Sequence, residues 1–83
     1  MVSRLQRSLV EVFAEILQEA RNGVAKTRIK NSCNLTYSMT GDCIDYLLEA
    51  GLLRRGKSFH TTDKGRQFLR IYQTLVLLTH TRN

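Results

Sequence analysis

Proline and tryptophan are missing from this chain, and cysteine and histidine occur twice each. Without proline there is no proline-rich linker, and no low-complexity stretch or internal repeat divides the 83 residues, a length that leaves room for one small core and no second domain. Cys33 and Cys43 lack the paired Cys/His spacing of a zinc site, and His60 and His80 stand alone in the sequence, so no metal site and no cofactor is read. Two readings of the cysteines stay open: both reduced and packed as small hydrophobes, or joined in a disulfide of the kind hyperthermophiles use inside cells. The longest apolar run is Leu75 to Leu78, far short of the roughly 20 residues that span a membrane. Met1-Val2-Ser3-Arg4-Leu5-Gln6-Arg7 has no signal-peptide core, so a soluble cytoplasmic protein is expected. The scattered carboxylates and histidines show no cooperating acid, base and nucleophile, which argues against an enzyme. The three tyrosines and three phenylalanines do not gather on a strand that could stack single-stranded bases.

Acidic residues are also scarce. Thirteen Lys+Arg against seven Asp+Glu give a net charge of +6, which favours phosphate-bearing partners. Residues 21–30 hold Arg21, Lys26, Arg28 and Lys30 with no acid, and Arg54, Arg55 and Lys57 follow as a second cluster.

Hydrophobic periodicity organises the chain. From Ser3 or Ser8, the residues Leu5, Leu9, Val12, Phe13, Ile16, Leu17 and Ala20 keep helical spacing until Asn22-Gly23 stops them. Glu11, Glu15 and Glu19 form an i, i+4 column on this helix and are expected to be a solvated face. A short helix from about Lys26 to Cys33 carries Ile29 inward, and Asn34-Leu35-Thr36 reads as a turn with a polar cap. The third helix then runs to Ala50, with Thr40, Ile44, Leu47 and Leu48 inward, Ser38, Asp42, Asp45 and Glu49 outward, and Gly51 at its end. Leu52-Leu53-Arg54 and Phe59-His60-Thr61 flank a basic tip, Arg55-Gly56-Lys57-Ser58, as a hairpin. Thr62 caps a last helix from Asp63 that is apolar nearly all round beyond Arg70. The fold class is therefore mainly α with a small β-hairpin: a winged helix-turn-helix, three helices plus wing and a C-terminal helix. All of residues 1–83 form one domain, with the core over about 3–61 and the terminal helix over about 62–80.

Such an order sets one helix end and one loop on the same side of the domain, a surface that fits double-stranded DNA. Lys26, Arg28, Lys30, Arg54, Arg55 and Lys57 are the candidate phosphate contacts, with Thr27 and Ser58 as further candidate DNA contacts; Thr36, Tyr37, Ser38 and Thr40 are the candidates for base reading, Thr40 being read as core-facing in preference. Tyr37 has a second reading, packing against the turn before its helix, and Thr36 has a second role as a cap. Asp42, Asp45 and Glu49 would repel phosphates unless they pair with Arg28, Lys30 or the wing cations, Asp42 accepts from a cytosine amino group, or this face meets a protein. Ile71, Leu75 and Leu78 approximate a heptad seam and, with Phe68 and Tyr72, mark a homodimer interface.

Lys26-Thr27-Arg28-Ile29, Asn34-Leu35-Thr36-Tyr37, Gly51-Leu52-Leu53 and Thr62-Asp63-Lys64-Gly65-Arg66-Gln67-Phe68-Leu69, in that order, make the chain resemble the small archaeal winged-helix proteins from about Ile16 to Leu78. The resemblance implies a winged-helix fold, DNA binding and dimerisation through the last helix, with chromatin-associated, nucleoid-located members among the relatives. Acids at positions 42 and 45, where relatives are expected to carry cations, and a terminal helix ending soon after His80 are the departures. A transcriptional regulator is the leading reading, and a non-specific chromatin protein or a protein-interaction module is the alternative.

Overall fold

The computed structural model describes residues 7–80, the last of them by its backbone alone. Helix α1, Leu9–Glu19, begins at a reciprocal cap: Ser8 Oγ accepts from the Glu11 N–H and the Glu11 carboxylate accepts from the Ser8 N–H, both at 3.1 Å. Ser8 is thus the start among the alternatives considered, Ser3 and Leu5 lying outside the described residues. Val12, Phe13, Ile16 and Leu17 form its buried face. A short 3-10 turn, Ala20–Asn22, and Gly23, at φ +94°, then reverse the chain.

Helix α2, Lys26–Ser32, is two turns long and buries only Ile29, so packing rather than propensity holds it. Asn34 supplies the left-handed residue of the turn at φ 56°, and Leu35 tucks beneath it. Helix α3, Tyr37–Glu49, is capped by Thr36, whose Oγ1 accepts from the Met39 N–H at 3.1 Å. Thr40, Cys43, Ile44 and Leu47 are buried along it.

Strands β1, Leu53–Arg55, and β2, Phe59–Thr61, pair antiparallel in the register Leu53↔Thr61, Arg54↔His60, Arg55↔Phe59. Val24 adds a third edge by exchanging two backbone hydrogen bonds with Phe59, at 3.0 and 2.8 Å. The Thr61 hydroxyl donates to the Leu17 carbonyl at 2.6 Å and ties the hairpin to α1.

Helix α4, Asp63–His80, starts at Thr62, whose Oγ1 accepts from the Gly65 N–H at 3.0 Å. Of its described side chains only Leu69 is a fully buried hydrophobe; Phe68 and Tyr72 pack partly on the core. Ile16, Leu17, Ile29 and Leu47 are the fully buried centre on which the helices converge, each worth about 1.5–3 kcal/mol of apolar burial. Cys33 and Cys43 are both free and buried. Burial, then the carboxylates of Glu15 and Glu19, pushes the Cys33 thiol up to about 11; burial, then Asp42, pushes Cys43 upward too.

Candidate nucleic-acid interface

The start of α3 is the most exposed polar end of the three-helix unit. Tyr37 is 64% exposed, and its ring carries the Lys26 ammonium 4.4 Å from the centroid. Tyr37 is thus bound to the first residue of α2 by a cation–π contact and still presents most of its surface. Lys26 rests against α3 because Gly41 leaves room, a Cβ there lying 3.4 Å from Nζ. Ser38 is exposed one position along. Thr36 serves as the cap, and Thr40 is buried with its hydroxyl donating to the Thr36 carbonyl at 2.7 Å, so Thr40 stays out of any groove, as its inward spacing indicated.

On α2, Thr27 and Arg28 are exposed and Lys30 half-exposed. Arg28 faces Glu19 at 4.0 Å. In the hairpin the pleat separates two adjacent cations. Arg55, opposite Phe59, lays its guanidinium 5.1 Å from that ring's centroid on the face shared with buried Leu53 and Thr61. Arg54, opposite His60, belongs to the other face. Arg54 and Arg55 thus serve different phosphates if both serve any. Lys57 occupies the tip, closed by the Gly56 N–H donating to the Ser58 carbonyl at 2.9 Å.

Among the described residues no cation lies within ion-pair distance of Asp42, Asp45 or Glu49: Arg28 turns back to Glu19 on α1 and Lys26 to Tyr37. The acids occupy the outward face of α3, about half a turn from the side that meets the core. Nor is the Glu11–Glu15–Glu19 column simply solvated. Arg7 pairs with Glu15 and donates to the Cys33 carbonyl at 2.7 Å, Arg28 faces Glu19, and all three acids line a cavity of about 350 Å³ with Tyr72, Cys33 and Gln73. Burial, then the charges of Glu11 and Glu15, raises the Tyr72 phenol above its ordinary range.

Three helices, a tight α2–α3 turn, a two-stranded hairpin and a closing helix are now in place, and residues 6–80 match the family described as winged helix-turn-helix. The chain belongs to that family. It is therefore a winged helix-turn-helix DNA-binding domain, a type that is not enzymatic. A solved structure of a MepR mutant from a multidrug-resistant S. aureus clinical isolate is similar, with a TM-score of 0.69 at 12% identity, over 100% of this chain and 78% of the other. That likeness speaks to the fold. No curated protein matches the sequence. No helix among the described residues is long and apolar enough to cross a membrane.

Within this winged helix, the hairpin is the wing and α3 the helix in the recognition position. The structure brings together Lys26 and Tyr37, and sets Thr27, Arg28 and Lys30 on the neighbouring helix. Phe68 and Tyr72 divide their surface between the core and solvent, whereas Ile71, Leu75 and Leu78 are 63%, 54% and 67% exposed. Sequence spacing gave no sign that Arg21, in the turn after α1, lines one cavity with Arg66 and Arg70 of α4; only the i, i+4 relation of the last two is legible.

Proposed function

We propose that this winged helix binds double-stranded DNA as a homodimer and regulates transcription, working on the chromosome in the cytoplasm. The observation that carries the reading is the exposed first turn of α3, Tyr37 and Ser38, held by Lys26 and flanked by cations that have no carboxylate partner among the described residues: Lys30, Arg54, Arg55 and Lys57. That turn enters the major groove, while Lys26, Thr27, Arg28 and Lys30 on one side and Arg54, Arg55, Lys57 and Ser58 on the other hold phosphates. Thr36 sets the helix in place through its cap. The outward acids begin one turn later, at Asp42, so entry is confined to the N-terminal end of α3.

Phe68, Ile71, Tyr72, Leu75 and Leu78 supply the dimer contact. Their apolar surface lies along one side of α4, and a second copy related by a two-fold axis covers it with the same residues. Such a dimer presents two recognition ends, suited to half-sites about 34–36 Å apart. Asp42, Asp45 and Glu49, unpaired beside the exposed Tyr46, favour a second reading in which α3 docks a basic protein.

Fluorescence anisotropy of a labelled random duplex, titrated across a salt series beside the same strand unpaired, tests the reading. Six contacting cations give a log–log salt slope of about −5 and a preference for duplex. Absence of binding at low salt sinks it and moves attention to the acidic face of α3.

A further inference from the structure

A second group of cations lies away from α2 and α3. Arg21, on the turn after α1, and Arg66 and Arg70 of α4 surround a cavity of about 220 Å³ completed by Leu69 and Gln73, with no carboxylate in its lining. Arg66 also borders a neighbouring cavity of about 360 Å³, lined further by Arg54, His60, Thr61, Thr62 and Asp63. Arg66 lines both cavities, so the two are neighbours along a strip that leads from the hairpin to α4. Arg21, Arg54 and Arg70 have no acid within ion-pair distance among the described residues; Arg66 holds the fully exposed Asp63 at 3.0 Å with one of its five donors. In the hairpin end of the strip, His60 Nδ1 is buried without a hydrogen-bond partner.

Three guanidiniums around one cavity, and Arg54 with Arg66 at the next, repel one another, and phosphates seated between them relieve that repulsion. The planar fork of arginine fits phosphate oxygens two at a time. Arg66 and Arg70 are offset by about 6 Å along the helix, close to the ~7 Å of duplex axis that two nucleotide steps of one strand cover. No residue of α2 or α3 lines either cavity. Ile71, Leu75 and Leu78 do not line them either, so pairing through α4 leaves the strip open.

We infer that Arg21, Arg54, Arg66 and Arg70 form a second phosphate track, which takes the sugar-phosphate backbone of duplex DNA beyond the wing. The inference rests on the DNA-binding reading above. Its test is the doubly substituted chain Arg21→Ala, Arg70→Ala beside the wild type, in the same duplex salt series, with 15N spectra of the arginine Nε–Hε groups recorded on the wild type as duplex is added. Both side chains are exposed, so thermal unfolding of the variant should match the wild type and exclude a folding defect. The expected result is a salt slope shallower by about 1.8, binding at least roughly tenfold weaker at 0.1 M salt, and shifts of the Arg21 and Arg70 Nε–Hε signals on titration. An unchanged slope with those signals unmoved, while the wild type still binds duplex and Arg55→Ala with Lys57→Ala still weakens it, overturns the track and leaves the DNA-binding reading standing. Failure of the wild type to bind duplex overturns both.

Discussion

Replacing Gly65 by alanine sets two physical effects against each other. Gly65 lies inside the first turns of α4, where helix propensity alone favours alanine by about 1 kcal/mol. A Cβ built there, however, falls 2.3 Å from the Leu52 carbonyl oxygen and 2.6 Å from Thr61 Cγ2. A carbon and a carbonyl oxygen normally sit about 3.3 Å apart or more, so α4 must withdraw by about 1 Å. The obstacle is backbone and cannot swing aside. The same Leu52 oxygen accepts from the Thr62 N–H at 3.0 Å, and withdrawal of the helix stretches that bond as well. Overpacking costs about 1–3 kcal/mol and the strained hydrogen bond about 1 more. Subtracting the propensity gain leaves a net loss of about 2 kcal/mol, which for a domain of this size lowers Tm by roughly 8–16 °C. Thermal melts followed by circular dichroism measure it, with Gln67→Ala on the exposed side of the helix as control. A Gly65→Ala protein melting at or above the wild type refutes the reasoning, because propensity would then outweigh the clash.

Gly41→Ala carries the opposite sign: its nearest neighbour is the mobile Lys26 ammonium at 3.4 Å, so a gain of about 0.5–1 kcal/mol is expected in the same melts. Arg55→Ala with Lys57→Ala should weaken duplex binding and flatten its salt slope by about 1.8 in anisotropy titrations. Ile71→Asp with Leu75→Asp places two charges in the apolar face of α4, and should convert a dimer to a monomer by analytical ultracentrifugation without lowering monomer stability. The raised thiol of Cys33 has a definite sign. Its acidic proton is retained more tightly in the folded chain than at the ordinary value of 9.0, so its stabilising contribution is whole below pH 9 and fades as pH rises toward 11. Denaturant midpoints should therefore fall across that window, and Cys33→Ala should reduce the fall.

Most of the architecture was legible because its signals are local. Ser8, Thr36 and Thr62 are caps wherever they precede an apolar period, and Gly51, at φ +79°, ends α3 where a left-handed residue was needed. Thr40 was read inward from spacing alone. What escaped was set by tertiary geometry. Gly65 looked like punctuation, yet it permits α4 to cross the base of the hairpin. Arg54 and Arg55 are neighbours in sequence, and only the strand register assigns them to opposite faces. The acids of α3 had nearby cations on paper, but the direction of each helix sent Arg28 to Glu19 instead. The cavity that Arg21 lines with Arg66 and Arg70 depends on where α4 returns across α1, which no short window of sequence records.

The double backbone link between Val24 and Phe59 has a consequence for the energetics of recognition. It pins the segment that leads into α2 to the tip end of the strand ladder, at Phe59 opposite Arg55, directly below the turn Gly56 to Ser58. The cations of α2 and Arg55, at the tip end of β1, then approach a partner as a single stiff body. Little conformational entropy remains to be lost on association. The cost of a mismatch rises in step, because a rigid spacing of charges rejects a groove of the wrong width where a flexible one would adjust to it.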